Sequence, residues 1–384
     1  SFYAKFFRVA DGKEIGKPFD RQAIANGNFI DLGVYIHSRA LAQRYGSFDQ
    51  TLRRLVDWEM IIRHTKEKDP VFIPRICLNY DDEENNNDRI SVRESYVKAH
   101  AAVWAKHNSK PTISTIIVSY NHEEFIAEAI ESALTQRGDF NHEILLADDG
   151  SSDRTTEIIA SYVKKYPQKI RSIGRGRNFG VSENYRYAFA EAQGNFIAVL
   201  EGDDYWTDPE KLIKQARFLV QNEKASMVLS RIELFDVQKN SRRLLKRQEG
   251  LPNLLSAKHF ADNEHLNLIV NLSSCMFRST IIKCLPEALY HPRLSEIALA
   301  FYHDRLGAIG FLAEVMSVYR MNNMSVWTGA STISKHQQAI DVRECALSVA
   351  RPIYRATIQK HIDQRKEMLK NDISKKSSAA IISK

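Results

Sequence analysis

The sequence predicts an α/β fold, a mostly parallel sheet with helices on both faces. Between Pro111 and Val220, short β-branched runs alternate with stretches whose apolar residues recur every three or four positions. Strand and helix follow one another at short spacing, which is the mark of a parallel sheet. Three of the runs end in polar or acidic residues, where sheets of this class open a ligand crevice beyond the carboxyl ends of their strands.

TISTIIVSY (112–120) is the first strand. Phe125, Ile126, Ala129, Ile130, Ala133 and Leu134 then share one helical face. EILLADD (143–149) reads as a second buried strand that ends in acids. Ser151, Ser152 and Asp153 are candidate caps for a helix with Ile158, Ile159, Tyr162 and Val163 on one side. KIRSIGR is a short third strand, SENYRYAFAEA a helix and NFIAVLE a fourth strand. Asp208 followed by Pro209 predicts an N-cap with proline at the first helical position, opening KLIKQARFLV. The strand ends carry Ser119–Tyr120–Asn121, Asp148–Asp149 and Glu201 to Asp204, and the fold is expected to bring them to one crevice. QKNSRRLLKRQEG (238–250) reads as a basic, solvated loop and NLIVNLSSCMFRS (267–279) as a further strand. From about Ser334 the chain turns helical with a break at Pro352, and the tail KKSSAAIISK is expected to fray.

The 384 residues suffice for two ordinary domains, and 43% hydrophobic with 26% charged residues is the balance of a globular protein. No apolar run approaches the roughly 18–20 residues of a membrane span, and SFYAKFFRVADG lacks the core and cleavage site of a signal peptide. The expected location is therefore the cytoplasm. The missing initial Met suggests a chain cut from something longer. Cys77, Cys275, Cys284 and Cys345 are scattered, as free thiols in a reducing compartment are. The net charge of +7 suits anionic partners such as nucleotides, lipid phosphates or nucleic acid without selecting one.

NFIDLGVYIHSRA (28–40) and NLIVNLSSCMFRS (267–279) share Asn, Ile and Arg in one register, 239 residues apart. Each is followed by an acid in an apolar setting, Asp57 in LVDWEM and Asp304 in FYHDRL, and then by a strand-like piece with Tyr. An internal repeat is the expectation.

AVLEGDDYWTDPEKL (198–212) drives an apolar strand straight into Glu201, Asp203 and Asp204. Carboxylates this close repel one another, and a cation or a donor-rich ligand relieves them.

VSYNHEEFIAEAIESALTQ, LLADDGSSDRT and NFGVSENYRYAFAEAQGNFIAVLEGDDYWTDPEKL together resemble the family 2 glycosyltransferases, with their GT-A fold. The resemblance covers about 112–330, with its signatures in the family's order. Residues 1–108 resemble only the acceptor-side half of a second such domain. The expected organisation is thus 1–108 as a partial domain, 111–330 as the transferase and 331–384 as a helical extension.

The resemblance implies an inverting, metal-dependent transferase. Its donor would be a nucleotide sugar, UDP-linked first and dTDP- or GDP-linked as alternatives. Its acceptor would be a glycan or lipid-linked glycan, in bacterial surface polysaccharide synthesis. It further implies no nucleic-acid partner, peripheral attachment at the inner face of a membrane, and membership of a larger multidomain chain. Asp149 or Asp148 would accept from the base, flanked by Ser119, Tyr120 and Asn121, with Arg177 and Asn178 reaching the nucleotide. Glu201–Gly202–Asp203 stands at the family's DxD signature, with Glu in place of the first Asp. Asp203 or Asp204 would hold Mg²⁺ or Mn²⁺, and Glu201 or Asp203 would reach the ribose or sugar. Asp304 would be the catalytic base. Tyr319–Arg320–Met321–Asn322 puts Asn where the family commonly carries a His ligand, which leaves that ligand open.

Two other readings compete. Gly202–Asp203–Asp204 spells the GDD of RNA-dependent polymerases, but a Trp–Thr–Asp–Pro helix start follows rather than a hairpin. A transferase fold kept as a non-catalytic scaffold is the other, and the complete set of acids in 111–330 speaks against it.

Overall fold

The computed structural model describes residues 1–8, 13–26, 28–80, 99, 103, 110–322 and 331–382. The chain divides into two compact units, Ser1–Lys110 and Pro111–Lys384.

In the first unit β1 (Phe2–Arg8) pairs antiparallel with β2 (Lys13–Ile15) and, after α1 (Arg21–Asn26), with β3 (Tyr35–Ile36). Helices α2 (Arg39–Tyr45) and α3 (Val56–His64) lead to β4 (Val71–Tyr80), which lies parallel to β1. Tyr3, Ile24, Ile30, Tyr35, Trp58, Met60 and Ile61 form the core, and the Trp58 indole donates to the Ile24 carbonyl at 2.6 Å.

The second unit opens with β5 (Thr112–Ser119), α4 (Ile126–Leu134), β6 (Asn141–Asp148), α5 (Thr155–Lys165), β7 (Ile170–Ser172), α6 (Val181–Glu191) and β8 (Phe196–Glu201). These strands are parallel, and Ile113, Ile116, Ile117, Ile144, Leu145 and Leu146 are buried on both faces, hence the unbroken apolar runs in the sequence. There follow β9 (Tyr205–Trp206), α7 (Lys211–Gln221), β10 (Ala225–Asp236), β11 (Ser241–Leu244), β12 (Leu254–Leu255) and α8 (Ala257–Ala261). The rest is β13 (Cys275–Arg278), α9 (Ser279–Ile282), α10 (Glu296–Leu306), β14 (Ala308–Met321), α11 (Thr332–Val349) and α12 (Pro352–Ile382). The sheet order is β12-β14-β10-β13-β8-β5-β6-β7. Because β13 is antiparallel to both β8 and β10, β10 and β14 run the same way as β8, and their carboxyl ends share one edge.

Several local expectations shift. Helix α5 begins at Thr155, because Ser151 and Ser152 bond to Asn121, and Asp153 to the backbone of Glu123 as well as that of Thr155. Helix α7 begins at Lys211, while Asp208 accepts from the Glu210 N–H one turn earlier. The basic 238–250 segment holds an exposed strand, β11, and a 3₁₀ turn. Residues 272–274 form a 3₁₀ turn, so only Cys275–Arg278 of the 267–279 run is strand. The C-terminal helices join the main core through Ile340, Ala346, Val349, Ile358 and Ile362, and α12 extends to Ile382.

The two units share a pattern of strand register. The β1–β4 pair breaks step between Ala4–Ile73 and Lys5–Ile76, and again before Phe6–Leu78. The β10–β14 pair breaks at the same two places, between Ser230–Leu312, Arg231–Val315 and Ile232–Ser317. A doubled bulge in a parallel pair is uncommon, which makes its recurrence informative. In both units an antiparallel hairpin partner and a short antiparallel strand flank the first strand, and a helix precedes the second. With Ile73 matched to Leu312, His64 falls on His303, both buried, and Asp57 falls on Glu296 rather than on Asp304.

Candidate functional site

The carboxyl ends of β5, β6 and β8 meet as expected. Asp148 ends β6 and is consumed by donors: Ser119 Oγ at 3.2 Å, Ser151 N at 3.2 Å, Thr156 Oγ1 at 2.9 Å and Ser151 Oγ. Asp149 accepts from the N–H groups of Phe179 and Gly180, both at 2.9 Å. It therefore draws the loop of Arg177 and Asn178 against β6. Gly150 permits this approach, since a Cβ there would lie 2.5 Å from the Arg177 backbone, and its φ of +74° suits glycine. Arg177 and Arg175 both stack on Phe179, at 4.3 and 3.7 Å. Asn121 sits in the left-handed region at φ +55° and caps Ser152, while Tyr120 is exposed. Ser119, Asn121, Asp148, Asp149, Arg177 and Asn178 thus form one ridge, with the two aspartates as its fasteners.

The acid cluster lies at the end of the neighbouring strand. Ligand oxygens of Glu201, Asp203 and Asp204 fall within 4.8 Å of one another. Glu201 accepts from Tyr185 Oη and Asn271 Nδ2, each at 3.0 Å. Asp204 is fully buried and accepts from Ser273 Oγ at 2.7 Å and the Arg320 N–H at 2.9 Å. Asp203 accepts from Asn322 Nδ2 at 3.1 Å, and its Oδ1 accepts no hydrogen bond from the described residues. Arg320 braces the cluster, donating to the Asp203 carbonyl at 2.8 Å, pairing with Glu128 and stacking on Tyr205 at 4.6 Å.

Burial, and then the charge of Asp203, pushes Glu201 up to about 7 and Asp204 well above the carboxylate range. Three hard oxygen donors, of which Glu201 and Asp204 are raised by burial and charge, fit a divalent cation such as Mg²⁺ or Mn²⁺, which would reverse both shifts. Asp203, with an uncommitted oxygen, is the best placed of the three to hold it.

The structure separates Asp304 from this site. Gly307 turns α10 back into β14, so the helix runs against the strand. The carboxyl end of β14, carrying Arg320 and Asn322, meets the acids, so Asp304 near the end of α10 faces the opposite edge of the sheet. There its carboxylate accepts from the Ala257 N–H at 2.7 Å and pairs with Arg351 at 3.1 Å, which ties α8 and α12 to α10. His303 beside it is buried against Phe277 and bonds Ser226. Glu296, at the first turn of α10, is an acid whose charge bears on the cluster. Its charge acts on Glu201, Tyr185 and Tyr319, and burial raises its own carboxyl. Arg293 opposes those charges from the preceding loop. In the sequence Glu296 ranks only as the rival to Asp304, because it stands in an apolar helix without an aromatic neighbour. The 239-residue repeat, extended from Asn28 and Asn267 to Asp57, is the signal that finds it.

Residues 114–284 match the profile of the family described as glycosyl transferase family 2. Over 224 residues the chain is 33% identical to the uncharacterized protein Rv1520 of Mycobacterium tuberculosis, covering 57% of this chain and 62% of that one. It is 28% identical over 177 residues to the uncharacterized glycosyltransferase MJ1057 of Methanocaldococcus jannaschii, covering 46% and 59%. The chain thus spans less than two thirds of the length of these relatives. Among solved structures, S. aureus TarS 1–349 in complex with UDP-GlcNAc superposes with a TM-score of 0.50 at 18% identity, over 66% of this chain and 71% of that one. The likeness to TarS is one of fold, the GT-A arrangement. No helix among the described residues is long and apolar enough to cross a membrane.

Proposed function

Residues 114–284 form a family 2 glycosyl transferase domain, and on that premise we propose that the chain transfers a sugar, with inversion, from a nucleoside diphosphate sugar to a glycan or lipid-linked glycan. The observation that carries this reading is the cluster of Glu201, Asp203 and Asp204 at a strand end, beside the Asp149–Asn178 ridge. The ridge takes the nucleotide: Ser119, Tyr120 and Asn121 flank the base, Arg177 and Asn178 reach it, and Asp148 and Asp149 hold those loops in place. Glu201 borders the ribose or sugar and, with Asp203 and Asp204, would hold a divalent cation, whose charge when bound would steady the departing diphosphate.

Glu296 takes the role of base that Asp304 is too distant to fill. An acceptor hydroxyl attacks the anomeric carbon, the bond to the diphosphate oxygen breaks, and the hydroxyl proton passes to the Glu296 carboxylate. A carboxyl raised by burial lies closer to the pKa that suits proton transfer near neutrality. UDP is the first donor nucleotide to test, since the TarS structure of the same fold holds UDP-GlcNAc. Surface polysaccharide synthesis at the inner face of a membrane is the setting proposed.

Residues 1–108 are proposed to be the acceptor-side half of a second such domain, with Asp57 at the place of Glu296. Asn28 Nδ2 donates to Asp57 at 3.0 Å, and burial raises that carboxyl too.

Nucleotide-sugar hydrolysis by the full chain, measured across UDP-, dTDP- and GDP-sugars with Mn²⁺, tests the reading. Turnover of one nucleotide class is expected. Neither binding nor hydrolysis of any donor would overturn it.

A further inference from the structure

The acids at the end of β8 do not hold their own geometry. Beneath them lies the turn of residues 271–274: the Asn271 and Ser273 side chains reach the acids, and the Ser273 and Ser274 carbonyls are held from behind. On the acid side, Asn271 Nδ2 donates to Glu201 at 3.0 Å and Ser273 Oγ to Asp204 at 2.7 Å. The Ser273 oxygen also accepts from the Glu201 N–H at 3.0 Å, so one hydroxyl joins the strand end to the second carboxylate. Asn271 Oδ1 accepts from the Ser273 N–H at 2.6 Å, which locks the two positions together.

Behind the turn, Trp206 Nε1 donates to the Ser273 carbonyl and Gln215 Nε2 to the Ser274 carbonyl, both at 2.8 Å. Lys211 Nζ donates to Gln215 Oε1 at 2.8 Å and lies 4.3 Å from the Trp206 ring. Lys211, Gln215, Ser273 and Ser274 are wholly buried. Burying so many polar groups is costly unless every one is bonded, and the network is retained where an apolar core would be simpler. The same turn in the first unit, residues 32–34, caps itself through Asp31.

Taking the acids as the cation site proposed above, we propose that Asn271 and Ser273 are its positioning residues, aiming Glu201 and Asp204 while Trp206 and Gln215 hold the turn rigid. Partners that orient ligand carboxylates without touching the ion characteristically govern affinity as strongly as a ligand does.

The test is Mn²⁺ binding to the full chain, followed by the electron paramagnetic resonance signal of free Mn²⁺, with and without UDP. Ser273→Ala removes the hydroxyl. Asn271→Ser keeps an oxygen able to cap the turn but is too short to reach Glu201, which protects the fold. Each is expected to weaken Mn²⁺ binding roughly 10–100-fold while UDP binding without metal stays unchanged. Ser226→Ala deletes another buried hydroxyl, bonded to His303 and the Ala308 carbonyl, and should leave Mn²⁺ binding as it was. A wild-type chain that binds no Mn²⁺ with or without UDP would sink the cation reading and this inference with it. Wild-type affinity in both variants, with Mn²⁺ bound normally by the parent, would overturn the positioning role alone.

Discussion

Glu296 and Asp304 occupy opposite ends of one helix, eight residues apart, and Glu296 is the one whose charge raises Glu201. At 1.5 Å per residue that places them about 12 Å apart along the helix. Glu296→Gln is expected to lower transfer by roughly 10²–10⁴ with nucleotide affinity nearly unchanged. Asp304→Asn should lower the melting temperature, through the lost Arg351 pair, and leave turnover per folded molecule intact. Reversed outcomes in kinetics and melting would return the base to Asp304.

Asp203→Asn should abolish metal-stimulated turnover and leave the fold unharmed, since it removes a charge that repels Glu201 and Asp204. Excess EDTA should do the same to the parent chain, and Mn²⁺ should restore it. Full activity in EDTA would contradict the assignment.

Asp57→Asn is expected to change neither donor hydrolysis nor transfer by the second unit. Asp57 pairs with Asn28 within its own unit, at the place that Glu296 holds in the other. A large loss of transfer in the folded variant would mean that both acids serve one site.

The second unit carries buried bases whose ionisation opposes folding. Burial pushes His142 and His303 down to about 3 from an ordinary 6.5. The unfolded chain therefore takes up these protons first, so their contribution to stability is intact above about 6.5 and is lost as pH falls towards 3. Lys211, lowered by burial to about 7 from 10.5, acts the same way in a higher window. Its contribution is complete above about 10.5 and is lost as pH falls towards 7. The raised carboxyls of Glu201 and Asp204 act with the opposite sign in the lower window, so the histidine contribution is read by difference. Between pH 6.5 and 4 the melting temperature of His303→Asn should fall less, or rise more, than the parent's, and Lys211→Met should flatten the slope between pH 7 and 10. An unchanged upper slope in that variant would show that Lys211 is charged in the fold.

Legibility in the sequence followed the range of the forces involved. The strands of residues 112–201 and the helices between them could be read directly, because continuous burial and helical periodicity leave their pattern in neighbouring residues. So could the acid cluster, since its three members fall within four positions of one another. Helix starts were less legible: Ser151, Ser152 and Asp153 have the chemistry of caps, but the Asn121 loop across the strand claims their hydrogen bonds.

The sequence by itself determined the fold class and the acids that end the strand Phe196–Glu201. Tertiary structure alone decided which further acid lies near them. Asp304 and Glu296 lie in the same helix and carry the same charge, and only the antiparallel course of α10 against β14 sends one to the acids and the other to Arg351. The roles of Asn271, Ser273 and Gln215 were likewise invisible, because each bonds a partner 59 to 70 residues distant. Chain direction and long-range hydrogen bonds are properties of packing, and no local pattern of residues encodes them.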